Sequence, residues 1–402
     1  MQSAKTKGKD FSVAFDKPID PAVLRKDVSL QKAPNIPRSL NFLRAISVLA
    51  CFVASMLGIW SAAGSDEFVQ SFSDSASSIV DVQTVKSDIY TADALAAKSI
   101  VADENDDYLQ PLQEAAVMLS QQMRDAQASV ALSKQLPGAA AELGKLSASG
   151  DSQTLNQSKQ SNDSGVGAEA NAQVNALSDK ISSLPKGSTY RFMWLLMPIA
   201  VLIYVNVRHA QLTRRVFNLG LLLATLLSAG SMYLLGTSGL ASARMVGTEH
   251  EQAYTRLRID SQTLSDFAIA RSTGNRAVAA ASLDAGAQEI SEDWSRQLED
   301  ISAGVLVTDT SFEVPFDTYK AAQSKAVEEP SAQNISASDE AADALATKLS
   351  QKSESSRSEV SAQAEDQRRA NNRNRLLAVG MNAAAMLLAG WGLSQPLRKY
   401  LR

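Results

Sequence analysis

The stretch DIYTADALAAKSI, Asp88 to Ile100, sets one acid, Asp93, and one base, Lys98, after its first turn in a run of mostly small residues. Charges on a helix surface are by default solvated. Asp93 and Lys98 are therefore expected to face water or a partner protein, and they are the candidate partner-contact residues. Other groupings that could do chemistry fall short of it. His209 and His250 stand alone, without the paired His or Cys that zinc requires, and single histidines of this kind are expected to face solvent. GAAAELGK (Gly138 to Lys145) has one residue too many between its glycines for a phosphate loop, and Leu146 stands where a Ser or Thr would hold magnesium. GVG at Gly165 lacks the third glycine and the strand-to-helix setting of a dinucleotide site. The expectation is a chain with no catalytic residues, cofactor or metal, hence not an enzyme.

The elements that carry these residues are dominated by four apolar blocks: residues 45–64, 190–207, 216–235 and 376–395. Each is about long enough to cross a bilayer as a helix. Trp60, Trp194 and Trp391 lie near block ends, where amphipathic rings favour the membrane–water boundary. Small residues recur at four-residue steps within the blocks: Ala50, Ala54 and Gly58; Gly220, Ala224 and Ser228; Gly380 and Ala384. Such seams let helices approach closely in lipid, so these eight are the candidate packing residues. The blocks hold few polar groups at membrane depth, which argues for a compact bundle rather than a pore.

Residues 1–44 carry nine Lys and Arg against four Asp, and RHAQLTRR (208–215) is short and basic. The positive-inside bias places this tail, the connection and the C-terminal tail 396–402 in the cytosol, giving a multi-pass plasma-membrane protein with both termini inside. The first block's leading tail is too long and its apolar run too extended for a cleaved signal peptide, and Phe11 to Leu30 offers spaced apolar residues suited to docking a cytosolic protein. Four arginines, Arg368, Arg369, Arg373 and Arg375, crowd the opposite end of the fourth block and run against the bias. The two long segments between spans, 65–189 and 236–375, are acidic, with 17 acids to 8 bases and 22 acids to 15 bases. That balance argues against binding nucleic acid or anionic lipid headgroups. The single cysteine, Cys51, lies in the first block, so helix packing must hold the outer segments together.

Helical seams fit that demand. Val82, Val85, Ile89, Ala92 and Ala96 alternate at three- and four-residue steps, and Ala253, Leu257, Asp260, Leu264 and Phe267 repeat the pattern with Asp260 as the imperfect member. The chain is thus expected to be an all-α membrane protein of two related halves, each an outward span, an outer helical bundle segment and a returning span. From Ala337 no Pro or Gly interrupts the chain until Gly380, which predicts a rod running into the fourth span, starting at Ser338-Asp339-Glu340. Pro111 is expected to open a helix to Leu132 and Pro137-Gly138 to turn the chain. DSQTLNQSKQSNDSGVG (151–167) reads as a flexible polar linker, and GVLVTDTSFEVPF (304–316) as an irregular connection.

YTADALAAKSIVAD (90–103), RVFNLGLLLATLLSAG (215–230) and ARMVGTEHEQAYTRLRIDSQTLSDFAIARSTGN (243–275), in this order after a basic tail and anchor, resemble the actinobacterial GlnX-like membrane proteins. The likeness runs from about Arg38 to Arg402. It implies a relay in which an extracytoplasmic glutamine- or amino-acid-binding lipoprotein senses nutrients and a cytosolic serine/threonine protein kinase responds. Two further readings of the layout stand beside it, a chemoreceptor-like direct sensor of a small ligand and a structural envelope protein.

Overall fold

The computed structural model describes residues 36–102, 108–184, 189–213, 218–244 and 251–400. The segment Phe11 to Leu30 and His250 lie outside them. The described residues are all-α, without a strand. In chain order the helices are α1 (Ile36–Ala102), α2 (Leu109–Val117), α3 (Ala126–Ser133), α4 (Leu136–Ser149), α5 (Ser152–Asn162), α6 (Ala168–Ser183), α7 (Thr189–Thr213), α8 (Leu219–Arg244), α9 (Glu251–Ser282), α10 (Ala287–Leu306), α11 (Glu313–Glu328) and α12 (Ala332–Tyr400).

Two of these dominate. α1 has 67 residues and α12 has 69, each about 100 Å long at 1.5 Å per residue. After Pro37, which suits a helix's first turn, α1 meets no proline along its length. The rod predicted for α12 is present, but it opens earlier than Ser338: Ser331 Oγ accepts from the backbone N–H of Asn334 at 3.3 Å, and Ser338 is already inside the helix, donating to Gln323. α1, α8 and α12 each hold a stretch long and apolar enough to cross a membrane. Their outward faces in these stretches are apolar, with Phe42, Leu49, Leu226, Tyr233, Leu387 and Trp391 all exposed, as lipid-facing surfaces are.

Helix registers are constant along the bundle. Phe72 packs on Tyr254 and, further along, Asp93 meets Arg276, 182 and 183 positions apart, so α1 and α9 run parallel. Lower down, Cys51 faces Ser228 and Gly58 faces Leu235, each pair 177 positions apart, so α1 and α8 are parallel too. α12 returns antiparallel: Asp66 meets Arg375, Asp81 meets Arg357 and Lys98 meets Asp339. Both predicted seams are buried in full, from Val82 to Ala96 and from Ala253 to Phe267. Asp260, the misfit, is accommodated by Ser356 Oγ at 2.5 Å and Lys352 Nζ at 3.7 Å.

Small residues set the spacing between the apolar stretches. Ala50, Ala54, Ala224 and Ser228 are buried. A β-carbon on Gly58 would sit 2.8 Å from Leu235 Cδ1, and one on Gly220 would sit 2.7 Å from both Gly392 Cα and the Leu388 carbonyl oxygen. On α12 the expectation fails: Gly380 looks onto open space and Ala384 is only half-buried. The contact is made instead by Ala378, Asn382, Ala385 and Ala389. GMNAAAMLLAG is small on several faces, so spacing alone does not choose the seam. Asn382 chooses it, because Ser231 Oγ donates to its Oδ1 at 3.1 Å and a buried amide needs such a partner.

The expected linker 151–167 is helical. Asp151 caps α5 through the Thr154 N–H at 2.7 Å, Leu155 is buried, and Asp163–Gly167 continues as one wider π turn into α6. The helix expected from Pro111 to Leu132 is broken at Met123, where the backbone is extended, and resumes at α3 with Asp125 as its cap. Pro137 and Gly138 sit in the first turn of α4 rather than in a turn between helices. Residues 304–316 form the end of α10, a 3-10 turn at Thr310–Phe312 capped by Asp309, and the start of α11. His209, expected at the surface, is buried, with Nε2 3.4 Å from Asn218 Nδ2.

Candidate functional site

The polar residues of the bundle beyond the apolar stretches converge on α1. Between Asp81 and Lys98 this helix turns five ionisable side chains, Asp81, Lys86, Asp88, Asp93 and Lys98, toward its neighbours rather than toward water. Placing charge in an interior costs several kcal/mol per ion unless partners and hydrogen bonds surround it. The partners therefore define the site.

Asp93 lies at its centre with no exposed surface. The flanking Ala92, Ala94, Ala96 and Ala97 are buried and small enough to admit α9, whose Arg276 pairs side-on with the carboxylate. Arg276 Nη2 donates to Asp93 Oδ1 at 2.6 Å and Nε to Oδ2 at 2.9 Å, the two-pronged geometry that makes such bonds strong. The third nitrogen, Nη1, donates to the Leu155 carbonyl at 2.8 Å. Ser272 Oγ adds a bond to Oδ2. α5 supplies the rest: Ser158 Oγ and Asn162 Nδ2 donate to Oδ1 at 2.9 and 3.0 Å, one turn apart and hence on one helix face. Asn275 Nδ2 fastens α9 to the α1 backbone at Ala94, 3.0 Å away.

The π turn after α5 has a reason in the same place. Tyr90 OH donates to Asp163 Oδ1 at 2.7 Å, and it occupies the space a β-carbon on Gly167 would need, 2.6 Å away. Burial, reinforced by the Asp163 carboxylate, holds the Tyr90 hydroxyl well above the usual phenol range, so it acts as a donor.

A second cluster sits at Lys98. Lys98 Nζ is 3.0 Å from Asp339 Oδ2 on α12, and Asp339 Oδ1 lies 3.1 Å from Arg271 Nη2. Arg271 Nη1 reaches Asp343 at 2.7 Å. Burial works against the Arg271 charge, but Asp339 and Asp343 more than offset it and hold the guanidinium above its ordinary range. Under Arg271 packs an aromatic group from three helices: Tyr319 meets Phe267 at 5.3 Å and Trp294 at 6.1 Å, both edge-on. Gly274 makes room there, since a β-carbon would lie 2.9 Å from Gln323 Nε2 and 3.1 Å from Trp294 Cδ1.

Below Asp93 the remaining members are less well matched. Asp81 is buried against Arg357 at 3.1 Å, and its burial raises the carboxyl above the usual range despite that arginine. Lys86 Nζ donates to Asn171 Oδ1 at 3.1 Å, with burial lowering its ammonium pKa. Asp88 has a carboxyl pushed up to about 7 by burial and then by the Glu114 charge.

Asp93 and Lys98 are thus internal couplings between helices, a correction to their expected place in water or against another protein. The residues that complete them, Arg276, Arg271, Asp339, Ser158 and Asn162, were not among the expected ones. One signal was present. Arg276 is a lone base set in the small-residue run STGNRAVAAAS, as Asp93 is an acid set in one, and an acid and a base on two such helices can be paired by register. Among the described residues no three His, Cys, Asp or Glu side chains converge as a metal site requires.

No family model, curated protein or solved structure matches the chain.

The arrangement can therefore be read only by its own geometry. It joins α1, α5, α9 and α12 through charge pairs whose geometry has little tolerance, on helices that run on toward apolar stretches.

Proposed function

We propose that this chain is a non-enzymatic transmembrane signal relay. In this reading four helices cross the plasma membrane, both termini are cytosolic, and two outer segments form one bundle. The observation that carries it is the continuity of α1 and α12: each runs unbroken from an apolar stretch to the buried charges at Asp93 and Asp339. A shift or rotation imposed on the outer charges is then delivered by a rigid rod to the inner face. α7 as the fourth span is supported by its 25-residue length and by exposed Leu196, Met197, Ile203 and Val207. The likeness to GlnX-like proteins gives the relay its ends, an extracytoplasmic amino-acid-binding lipoprotein and a cytosolic serine/threonine protein kinase.

Two measurements test this. Single cysteines at Ser3, Ser158 and Ser336 in a Cys51→Ser background should label differently with an impermeant reagent; labelling at Ser3 in intact cells contradicts the topology. Because Ser158 is buried, its labelling is read after mild denaturation of intact cells. For the relay itself, deletion of residues 2–30 with Arg38 and Arg44 retained should leave insertion intact and abolish the amino-acid-dependent change in kinase-substrate phosphorylation. A response that survives the deletion moves the output to residues 208–215.

Direct sensing has one observation in its favour, the Arg271, Asp339 and Tyr319 cluster, which pairs both charges of an amino acid with aromatic surface. Titration of the full chain with glutamine in a calorimeter decides it: micromolar binding favours the direct sensor, and no heat favours the relay.

A further inference from the structure

The four arginines that run against the positive-inside bias have a place in the fold. Arg368, Arg369 and Arg375 border an open cleft of about 550 Å³ with Asp66, Glu365 and Asn372, where α12 passes α1. Immediately beyond Arg375, Leu376 and Leu377 are exposed and apolar, so the cleft lies at the level where the lipid-facing surface begins. We propose that this cleft is a binding site for the phosphate headgroup of an anionic phospholipid in the leaflet next to the outer bundle.

Charge and geometry support that occupant. The segment 236–375 is acidic as a whole, yet four of its fifteen bases lie within its last eight residues. The nearby acids neutralise only part of them. Arg369 Nε is 3.2 Å from Glu365, and Arg375 is 3.9 Å from Asp66, near the limit of an ion pair. Arg368 and Arg373 make no ion pair among the described residues. Guanidinium groups bind phosphate oxygens through paired N–H donors, and a lipid brings both the phosphate and acyl chains that cover Leu376 and Leu377. Free phosphate satisfies only the first of these surfaces, which is why the lipid is the assigned source. An arginine cluster on the translocated side also gains a reason, because its charge is used at the headgroup layer.

The inference rests on α12 crossing the bilayer, and its test separates the two failures: loss of the full chain from the membrane fraction would sink the span, while the lipid readouts below address the cleft. The full-length chain is reconstituted into nanodiscs of phosphatidylcholine with and without phosphatidylglycerol, and thermal midpoint and lipid retained after re-extraction are measured. Phosphatidylglycerol should raise the midpoint and remain bound. Arg368→Gln/Arg369→Gln should weaken retention on the order of thirty-fold, given roughly 1 kcal/mol per basic residue at an anionic surface, whereas Arg296→Gln on α10 should not. If the double variant fails to insert, Arg375→Gln, which also borders the cleft, should weaken retention on the order of five-fold. Retention equal to wild type in whichever variant inserts overturns the site. Stabilisation by inorganic phosphate in detergent, undiminished by added phosphatidylglycerol, assigns the cleft to a free anion and overturns the lipid.

Discussion

The clusters at Asp93 and at Lys98 lie five residues apart on one helix but solve the burial of charge differently. At Asp93 a single acid and a single base are both removed from water, and every side-chain nitrogen of Arg276 and both oxygens of Asp93 are used. At Lys98 two cations share Asp339, Arg271 Nε has no acceptor among the described residues, and the outermost acid, Asp343, is 68% exposed. The first works as a pin that fixes the register of α1, α5 and α9. The second is a graded contact between α1, α9 and α12, open to solvent at one end. A relay needs both, a fixed fulcrum and a contact that can be re-set.

The widest gap between the two should come from Asp93→Ala. Removing this carboxylate leaves Arg276 charged, buried and facing Ser158 and Ser272, so the loss should be roughly 3–5 kcal/mol, the usual cost of an orphaned buried ion. Denaturant titration of the solubilised chain followed by tryptophan fluorescence measures it. A loss no larger than that of a surface ion pair would erase the distinction between pin and contact.

How much of this pin could be read from the sequence follows from what each residue type announces. The rod of α12 was legible because neither Pro nor Gly occurs between Ala337 and Gly380, and the apolar stretches because hydrophobic residues run on for the length of a bilayer. The seams Val82–Ala96 and Ala253–Phe267 were legible because their period is that of a helix. Asp93 was noticed and misplaced, since a lone acid in a helix is ordinarily solvated, and its partner stands 183 positions away. Ser158 and Asn162 were hidden by composition. A Ser, Asn and Gln-rich run has the signature of a linker, and nothing local reveals that its hydroxyl and amide groups are the hydrogen-bond shell of a buried carboxylate. The seam on α12 was misassigned for a related reason, as one buried amide, Asn382, and not the spacing of small residues sets the rotation.

Asp88 sharpens the comparison from the other side, being a largely buried acid on the same helix with no cation in an ion pair with it among the described residues. Its carboxyl titrates near 7 in the folded chain against 3.8 in the unfolded one. The folded state therefore holds the proton more tightly, and stability falls as pH rises from about 4 to about 7 and is level above that. Asp88→Asn, which imitates the protonated form, should match wild type near pH 4 and exceed it by roughly 2–4 kcal/mol at pH 8. Thermal midpoints across this range test the sign. A variant less stable than wild type at pH 8 would mean that the Asp88 charge has a partner that matters.

Ser158→Ala probes the shell of the pin rather than its charges. Asp93 Oδ1 keeps Asn162 and Arg276 as donors, so a loss of about 1–2 kcal/mol is expected, that of one hydrogen bond to a charged group. A loss as large as that of Asp93→Ala would show that α5 depends on this hydroxyl for its docking, and that the polar run is the pin's foundation and not its outer layer.

The smallest effect belongs to the open end of the second cluster. Asp343 lies only 2.7 Å from Arg271, the closest ion-pair distance there, but distance is a poor guide where water reaches one partner. With the Asp343 side chain mostly solvated, its Coulomb attraction is screened and its ordering costs side-chain entropy. Arg271 also keeps Asp339 when Asp343 is removed. Asp343→Ala should therefore cost between about 0 and 1 kcal/mol, and the difference should shrink further as salt is raised. If the chain acts as the proposed relay, the same substitution should alter its response more than its stability, since it changes how firmly α9 holds α12 without unseating either helix. Denaturant titration at low and high salt, set beside the phosphorylation response in cells, separates the two quantities. A stability loss above about 2 kcal/mol that is insensitive to salt would place Asp343 in the same class as Asp93, and the second cluster would then be a second pin.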